Sequence, residues 1–404
     1  MPEQPSKPSH AEIRNVLILA GGQSLFTITT ITVMTLGSVI GFRLSPDPAL
    51  ATLPVALMML ATVLTTFPAS LLMKRIGRRK GFVLGASVGG TLGSVLMLAG
   101  VADPSFALFC AGMALIGIYQ SFAMYYRFAA ADVTRVQFRS RAISFVMTGG
   151  VVAAILGPLN ARASLGLIPS IPLGEPFLLT LLASLLAIVL LSRLQVPTTG
   201  HASSEKTPMR SLTSVARHRG FIPAILAGTV SFSLMVLYMT VTALGMQEQG
   251  FSLTDITVVV QSQVLSMFIP AFFTGTLISR LGLKPILWAG VVFMSLAMLI
   301  GAAHASLPVY MVSRIALGIG WNFLFVGGAV LLSTTHTPAE RGKVQGVNDL
   351  AMFIVATLGS IAAAAMLQHL GWNGLHLASL LPVGLVAASL LRLPGKTALA
   401  RTEH

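Results

Sequence analysis

The sequence predicts an all-α polytopic membrane protein with twelve transmembrane helices in two six-helix bundles. Three observations predict this class. The chain is 54% hydrophobic and only 9% charged, whereas soluble proteins are about 25% charged. Its apolar segments mostly reach about 20 residues or more, which is enough for a helix to cross the hydrocarbon of a bilayer. A glycine-containing basic turn between two such segments occurs twice. The segments lack period-2 alternation, so a transmembrane β-barrel is disfavoured.

Each predicted helix is an apolar run bounded by charged, glycine or proline residues. The runs place the twelve helices at about residues 14–40, 50–72, 81–102, 105–130, 141–166, 175–195, 220–246, 255–279, 285–304, 307–333, 343–369 and 374–393. The predicted domains are an N-terminal tail (1–13), a first bundle (14–195), a linker (196–219), a second bundle (220–393) and a C-terminal tail (394–404).

The basic turn indicates an internal duplication. Residues 70–81 read SLLMKRIGRRKG and carry five cations, whereas residues 275–284 read GTLISRLGLK. The first copy lies between predicted helices 2 and 3 and the second between helices 8 and 9, so the two halves repeat in register. Parallel halves of this kind predict a central cavity where they meet, open alternately to each side of the membrane.

The net charge of +14 is explained by membrane topology. With both termini in the cytoplasm, all but three of the 26 lysines and arginines fall on the inner side, the exceptions being Arg43, Arg162 and Arg314. This asymmetry follows the positive-inside rule. We therefore expect a monomer in a bacterial-type inner membrane, with the lipid bilayer as a partner and no nucleic acid.

Enzymatic chemistry is disfavoured. The single cysteine, Cys110, excludes an intramolecular disulfide and a cysteine-based metal site. The sequence shows no His/Cys ligand spacing, no phosphate-binding glycine loop and no close carboxylate pair in a membrane segment. We expect no catalytic residues, no cofactor and no bound metal.

The chain resembles the major facilitator superfamily over essentially its whole length. The family's loop signature is matched at Arg75, Gly77, Arg78 and Arg79, whereas Lys74 stands where the family has an acid. The resemblance implies a secondary transporter in which helices 1, 4, 7 and 10 line the cavity. It gives little information about the substrate.

In that family the loop is a cytoplasmic latch. The resemblance therefore implies an ion pair between Arg78 and Asp132, at the inner end of helix 4, and leaves Asp349 on helix 11 as an alternative partner for Lys74. The competing interpretation is that these charges are solvated at the level of the lipid headgroups. The predicted gate residues are Lys74, Arg75, Gly77, Arg78, Asp132, Arg280, Arg341 and Asp349.

Two further marks resemble antiporters of the family only in part. Helix 5 carries Gly157-Pro158, for which close helix packing is the alternative explanation. An arginine four residues before a glycine is absent from helix 4, where Met113 precedes Gly117. It occurs instead in the second half as Arg314 before Gly318.

Neutral polar and aromatic residues within the helices are the candidate substrate contacts. The predicted set is Gln23, Thr27, Thr30, Tyr119, Gln120, Tyr126, Ser231, Tyr238, Gln261, Trp321 and Asn322. A polar group in hydrocarbon costs free energy unless it is hydrogen-bonded or hydrated. Hydrogen bonding between helices is the alternative role of each residue, but the set together favours a pocket for a neutral, ring-bearing solute.

None of the twelve acidic residues falls near the predicted midplane, and His304, His369 and His376 are predicted near the outer ends. This pattern disfavours a simple carboxylate proton relay. The leading hypothesis is a transporter of a small, mostly neutral organic solute, vitamin-like or another nutrient. The alternatives are proton-coupled efflux of drugs or amphiphiles, which would add protons as a partner, and a non-transporting membrane sensor.

Overall fold

The computed structural model describes residues 9–135, 138, 142–143, 145–146, 148–153, 156–157, 173–195, 211–303, 306–337 and 340–393. These residues form helices joined by short turns, which confirms the all-α class. The chain divides into two compact units, Met1–Gly200 and His201–His404. Most of the predicted linker and the Pro158 of the partial antiporter mark lie outside the described residues.

The first unit begins with a helix that starts earlier than its apolar run. Ser9 caps the helix by accepting a hydrogen bond from the Glu12 amide, and the Glu12 carboxylate accepts one from the Ser9 amide. This capping box satisfies amides at the helix start, so part of the predicted tail is helical. The described helices are α1 (His10–Leu44), α2 (Leu53–Ile76), α3 (Arg78–Leu84), α4 (Leu92–Ala102), α5 (Phe106–Ala123), α6 (Tyr126–Asp132) and α7 (Glu175–Ser192), with a π-helical segment, Gly85–Thr91, joining α3 to α4.

In the second unit the helix is interrupted or bent within two long apolar segments. Pro270 separates two helices within predicted helix 8 because proline has no amide hydrogen to continue the hydrogen-bond ladder. Gly371, with φ 65° and ψ 177°, bends a second run. The described helices are α8 (Leu212–Ala216), α9 (Phe221–Glu248), α10 (Leu253–Phe268), α11 (Ala271–Leu281), α12 (Leu283–Ala303), α13 (Leu307–Ser333), α14 (Arg341–Ala378) and α15 (Leu380–Leu391).

The described residues contain ten helical stretches long and apolar enough to cross a membrane. The last, Lys343–Leu391, includes the bend at Gly371 and so holds predicted helices 11 and 12. Predicted helix 5 lies largely outside the described residues, so the full count of twelve stays a prediction. The protein is an integral, multi-pass membrane protein.

The basic turn has the same backbone in both units. Gly77 has φ 87° and ψ 155°, and Gly282 has φ 92° and ψ 160°. A positive φ is readily adopted by glycine and strained for other residues. In each unit one helix ends directly before this glycine and the next helix begins directly after it. This match supports the duplication that the sequence predicts.

A second matched pair of glycines permits close helix contact. A Cβ atom on Gly117 of α5 would lie 2.1 Å from the carbonyl oxygen of Met58 in α2. A Cβ atom on Gly318 of α13 would lie 1.9 Å from Oγ of Ser266 in α10. In each unit a glycine therefore lets the fourth helix of the repeat pack against the second.

Candidate functional site

The ion pair expected at the basic turn is present. Nε of Arg78 donates to Oδ2 of Asp132 at 2.7 Å, and the two side chains are 27% and 45% exposed. The guanidinium carbon of Arg78 also lies 5.9 Å from the centre of the Tyr125 ring. Lys74 and Arg75 are exposed. The contact is the one a latch requires, whereas the latch function stays a prediction.

The other predicted gate residues lie in the second unit. Arg280 is exposed at the end of α11, and Asp349 is half-buried and accepts a hydrogen bond from Asn348 at 3.3 Å. Arg341 begins α14, but its side chain lies outside the described set. Because Lys74 and Asp349 belong to different units, their pairing stays a prediction.

A second ion pair in the first unit was not predicted from the sequence. Glu12 is only 8% exposed. It accepts hydrogen bonds from the backbone amide of Arg135 at 2.8 Å and from its guanidinium at 3.1 and 3.2 Å. The pair joins the start of α1 to the residues that follow α6. The contact was not predicted because Glu12 and Arg135 are far apart in the sequence and Glu12 was assigned to the N-terminal tail.

The polar residues of α1 lie on one face as predicted. Gln23 donates to Oγ1 of Thr27 at 3.0 Å, and Thr30 donates to the carbonyl of Phe26 at 3.1 Å. All three polar side chains are half-buried. These side chains are therefore neither fully buried nor fully exposed, and their described hydrogen bonds are within α1.

Tyr119 and Tyr126 are fully buried in the first unit. Tyr119 meets Phe26 edge to face at 5.2 Å, and Tyr126 meets Phe82 in the same way at 4.8 Å. The two hydroxyls lie near each other, but neither makes a hydrogen bond of ordinary geometry with a described residue. Gln120 is half-buried, and its carbonyl oxygen also has no partner among the described residues.

Five aromatic side chains of the second unit form what we call the aromatic cluster. Its members, from α9, α10, α13 and α14, are Phe232, Phe268, Trp321, Phe325 and Phe353. Trp321 and Phe325 are stacked at 4.7 Å and 14°, Phe268 lies 6.4 Å from Trp321, and Phe232 lies 6.5 Å from Phe325 and 5.3 Å from Phe353. Only Trp321 was predicted. The phenylalanines could not be told from ordinary membrane-facing residues.

The aromatic cluster is accessible and has an unused donor. Phe232, Phe268 and Phe325 are half-buried, and Nε1 of Trp321 has no hydrogen-bond partner among the described residues. Gln261 is half-buried on α10, while Gln263 is 1% exposed and neither atom of its amide group has a partner in the described part of the chain. These groups could hold a flat solute and hydrogen-bond its edge.

Three other predicted contacts of the second unit have their polar atoms engaged within the protein. Asn322 accepts from Thr274 and donates to the carbonyl of Met267. Ser231 donates to carbonyls of its own helix. Tyr238 donates to Ser379. These bonds favour the alternative role of hydrogen bonding within the protein.

Arg314 and His376 are buried together in the second unit. The sequence places Arg314 in an outer half of the membrane and His376 near an outer helix end, and both side chains are 0% exposed. Nη2 of Arg314 lies 2.9 Å from Nε2 of His376. The helical positions gave no sign of this contact, because the residues are far apart in the chain and belong to different predicted helices.

Comparisons with known proteins agree with this fold. The family model described as Major Facilitator Superfamily matches residues 18–262 and 230–403. The chain is 38% identical over 394 residues to the riboflavin transporter RfnT of Brucella anthropi, covering 96% of this chain and 98% of that protein. It is 26% identical to the uncharacterised MFS-type transporter YdeG of Bacillus subtilis, over 85% of this chain and 83% of that protein.

Solved structures show the same architecture at lower sequence identity. A D-xylose–proton symporter superposes with a TM-score of 0.76 and 16% identity, covering 96% of this chain and 99% of the symporter. A peptide transporter in complex with alafosfalin gives 0.75 and 14%, covering 93% and 94%. The matches over the whole length, together with the repeated turn and its Arg78–Asp132 pair, lead to one conclusion. The chain belongs to the major facilitator superfamily and is a secondary transporter, not an enzyme.

Proposed function

We propose that this protein transports riboflavin, or a closely related ring-bearing vitamin, by alternating access. The observation that carries the proposal is the 38% identity to a riboflavin transporter along nearly the full length of both chains. A small-molecule substrate follows from the family. The proposal adds the chemical class of that substrate.

The chemistry of the aromatic cluster supports this substrate class. Riboflavin has a flat fused-ring system whose face suits stacking on aromatic side chains. The parallel rings of Trp321 and Phe325, with half-buried Phe232 and Phe268 beside them, offer such a face. The indole N–H of Trp321, which has no partner among the described residues, is a donor suited to a ring carbonyl.

Each unit, taken by itself, also presents neutral polar groups that suit an uncharged solute. Gln23 and Thr27 present amide and hydroxyl groups on one face of α1. The buried Gln263 amide lacks any partner among the described residues, and a buried unpaired amide is costly unless a ligand or water uses it. Amide and hydroxyl groups match the imide edge and the polyol chain of a riboflavin-like solute.

A binding and flux experiment tests the proposal. The purified protein is titrated with riboflavin while the fluorescence of the ligand is followed, and riboflavin entry is measured in proteoliposomes with and without a proton gradient. We expect saturable binding and flux. Dependence of flux on the gradient would identify protons as the coupling ion. The proposal fails if the unaltered protein neither binds nor moves riboflavin.

Substitutions at two tryptophans locate the site. We expect Trp321→Ala to weaken riboflavin binding at least about tenfold, since stacking contributes about 0.5–1.5 kcal/mol, the lost contact area of the indole adds to it, and about 1.4 kcal/mol corresponds to a factor of ten. Trp321→Phe keeps the ring face and should retain most of the affinity. Trp288→Phe in α12 is the matched control and should bind normally. Normal binding by Trp321→Ala would exclude the aromatic cluster as the site.

A further inference from the structure

Arg314 carries a buried charge in the second unit. The residue lies on α13, seven positions after the helix begins at Leu307, and it is 0% exposed. Arginine stays protonated in proteins. An ion withdrawn from water is strongly destabilising unless an opposite charge and hydrogen bonds replace its hydration. The buried guanidinium therefore needs a negative partner.

The hydrogen bonds of Arg314 are incomplete. Nη2 donates to Oγ of Ser313 at 2.8 Å and to Nε2 of His376 at 2.9 Å. Nε and Nη1, which carry the remaining three of the five N–H groups, have no partner among the described residues. The guanidinium carbon lies 4.4 Å from the centre of the Tyr238 ring. Three of the five donors on this cation are therefore unused by the described part of the chain.

His376 cannot supply the missing negative charge. Arginine only donates, so Nε2 of His376 must accept, and the proton of the neutral ring is then on Nδ1. That proton is donated to the carbonyl of Trp372 at 2.9 Å. Gly301 permits this arrangement, because a Cβ atom there would lie 2.3 Å from Nε2 of His376.

Three other neighbours, Ser313, Tyr238 and Trp372, are also neutral, and each donates its hydrogen within the protein. Ser313 donates to the carbonyl of Ala297 at 2.8 Å. Tyr238 donates to Oγ of Ser379 at 2.9 Å. Trp372 donates to the carbonyl of Gly301 at 2.8 Å. None of these groups brings a negative charge to the guanidinium.

Carboxylates of the described residues do not supply it either. The ion pairs that the structure describes join Arg78 to Asp132 and Arg135 to Glu12, all in the first unit. The free nitrogens of Arg314 contact no carboxylate in the described part of the chain. The negative partner must therefore come from outside these residues.

We propose that Arg314 is the cation of a small-anion site in the second unit. Its ligand is a monovalent anion of the halide or carboxylate class, which accepts hydrogen bonds from the free N–H groups and neutralises the charge. Tyr238 and His376 hold the guanidinium in place from two sides. The site is separate from the aromatic cluster and does not depend on the identity of the transported solute.

The site makes a binding prediction that needs no transport assay. An anion that binds only the folded protein raises its melting temperature as the anion saturates the site. The purified full-length protein is unfolded thermally in sodium chloride or sodium formate, with sodium methanesulfonate, whose anion is neither a halide nor a carboxylate, holding the ionic strength constant. We expect a saturable increase of about 2 °C or more in at least one of the two salts.

Variants assign the shift to Arg314. Arg314→Gln should abolish it, Arg314→Lys should retain a weakened shift, and Arg280→Gln, which removes an exposed cation of the same unit, should leave it unchanged. A shift with chloride identifies a free inorganic anion as the ligand. A shift with formate alone identifies the carboxylate of an organic solute. A shift that survives in Arg314→Gln overturns the proposal.

A second measurement avoids variants of Arg314 that fail to fold. Trp372 lies 4.5 Å from His376, ring centre to ring centre, so its fluorescence reports on this site. In a Trp288→Phe, Trp321→Phe background, bromide should quench Trp372 with a saturable dependence on concentration. Absence of a melting shift in both salts, with quenching that is only linear, would overturn the proposal and leave water as the partner of the free donors.

Discussion

The two units share a backbone plan but place their charges differently. The first unit has its described ion pairs, Arg78–Asp132 and Glu12–Arg135, at the ends of helices. In the second unit the charged Arg314 is completely buried, and its neighbour is the neutral His376. At the position corresponding to Arg314 the first unit has Met113, which is fully buried.

The two units therefore share helix packing but not electrostatics. Gly117 and Gly318 make matching close contacts in the two units. Four residues earlier, however, the first unit has the apolar residue Met113 and the second unit has the cation Arg314. A thioether and a guanidinium differ greatly in the cost of burial. The surroundings, and not the helix itself, must therefore explain how the second unit tolerates the charge.

The largest expected effect comes from giving the first unit the charge of the second. Met113→Arg should destabilise the protein by about 3–5 kcal/mol, because an uncompensated buried charge costs that much and Met113 packs against Gly37 of α1. Size-exclusion chromatography and thermal unfolding measure the loss. Met113→Leu is the volume-matched control. A stable Met113→Arg protein would show that the first unit also accommodates a cation.

The paired glycines test whether packing is equivalent in the two units. Gly117→Ala and Gly318→Ala should each destabilise by about 1–3 kcal/mol through overpacking. The added methyl meets the backbone of Met58 in one case, and Ser266 together with the Gln263 backbone in the other. Gly346→Ala, whose added Cβ meets nothing within 4 Å, is the control. Unfolding of only one glycine variant would break the equivalence.

The Glu12–Arg135 pair should contribute more to stability than the exposed pair. Glu12→Gln weakens charge-assisted hydrogen bonds to a backbone amide, a guanidinium and the helix cap. We expect a loss of about 1–2 kcal/mol, measured by thermal unfolding, because bonds to a poorly exposed charge are stronger than average. Glu3→Gln, in the same predicted tail, serves as the control. Equal stability of both variants would contradict this ranking.

The smallest stability effect is expected at the latch. Asp132→Asn should change the free energy of unfolding by less than about 1 kcal/mol, since both partners are partly exposed. If the pair is a latch, the same substitution changes the transport rate and the labelling of cysteines introduced on the cytoplasmic side. A Cys110→Ser background removes the native thiol. Unchanged rate and labelling would leave the pair as a surface contact.

The sequence predicted the elements that depend on periodicity and repetition. The apolar runs located the long helices, and the copy of the basic turn indicated the duplication, which the matching backbone of Gly77 and Gly282 supports. The Arg78–Asp132 contact also followed, but from the family resemblance and not from helix spacing. Trp321 was predicted as a substrate contact because it lies on helix 10 at a depth that corresponds to Tyr119 on helix 4, and this role stays a prediction.

Contacts between distant segments were not predictable in this way. The local sequence around Phe232, Phe325 and Phe353 does not distinguish a member of an aromatic cluster from a residue that faces lipid. The Arg314–His376 contact joins two helices whose rotation about their axes is set by tertiary packing. The position of Glu12 near a terminus suggested a solvated tail, whereas the capping box extends α1 to include it.

The turns at Gly77 and Gly282 have the same backbone shape but different charges. Their backbone angles agree within a few degrees, although the first copy has five cations and the second has only two. Glycine fixes the shape of the turn, while the cations near it carry the charge signal from which a cytoplasmic location of this side is predicted. Chain geometry and membrane orientation are therefore encoded by different residues of the same short segment, and each can change without the other.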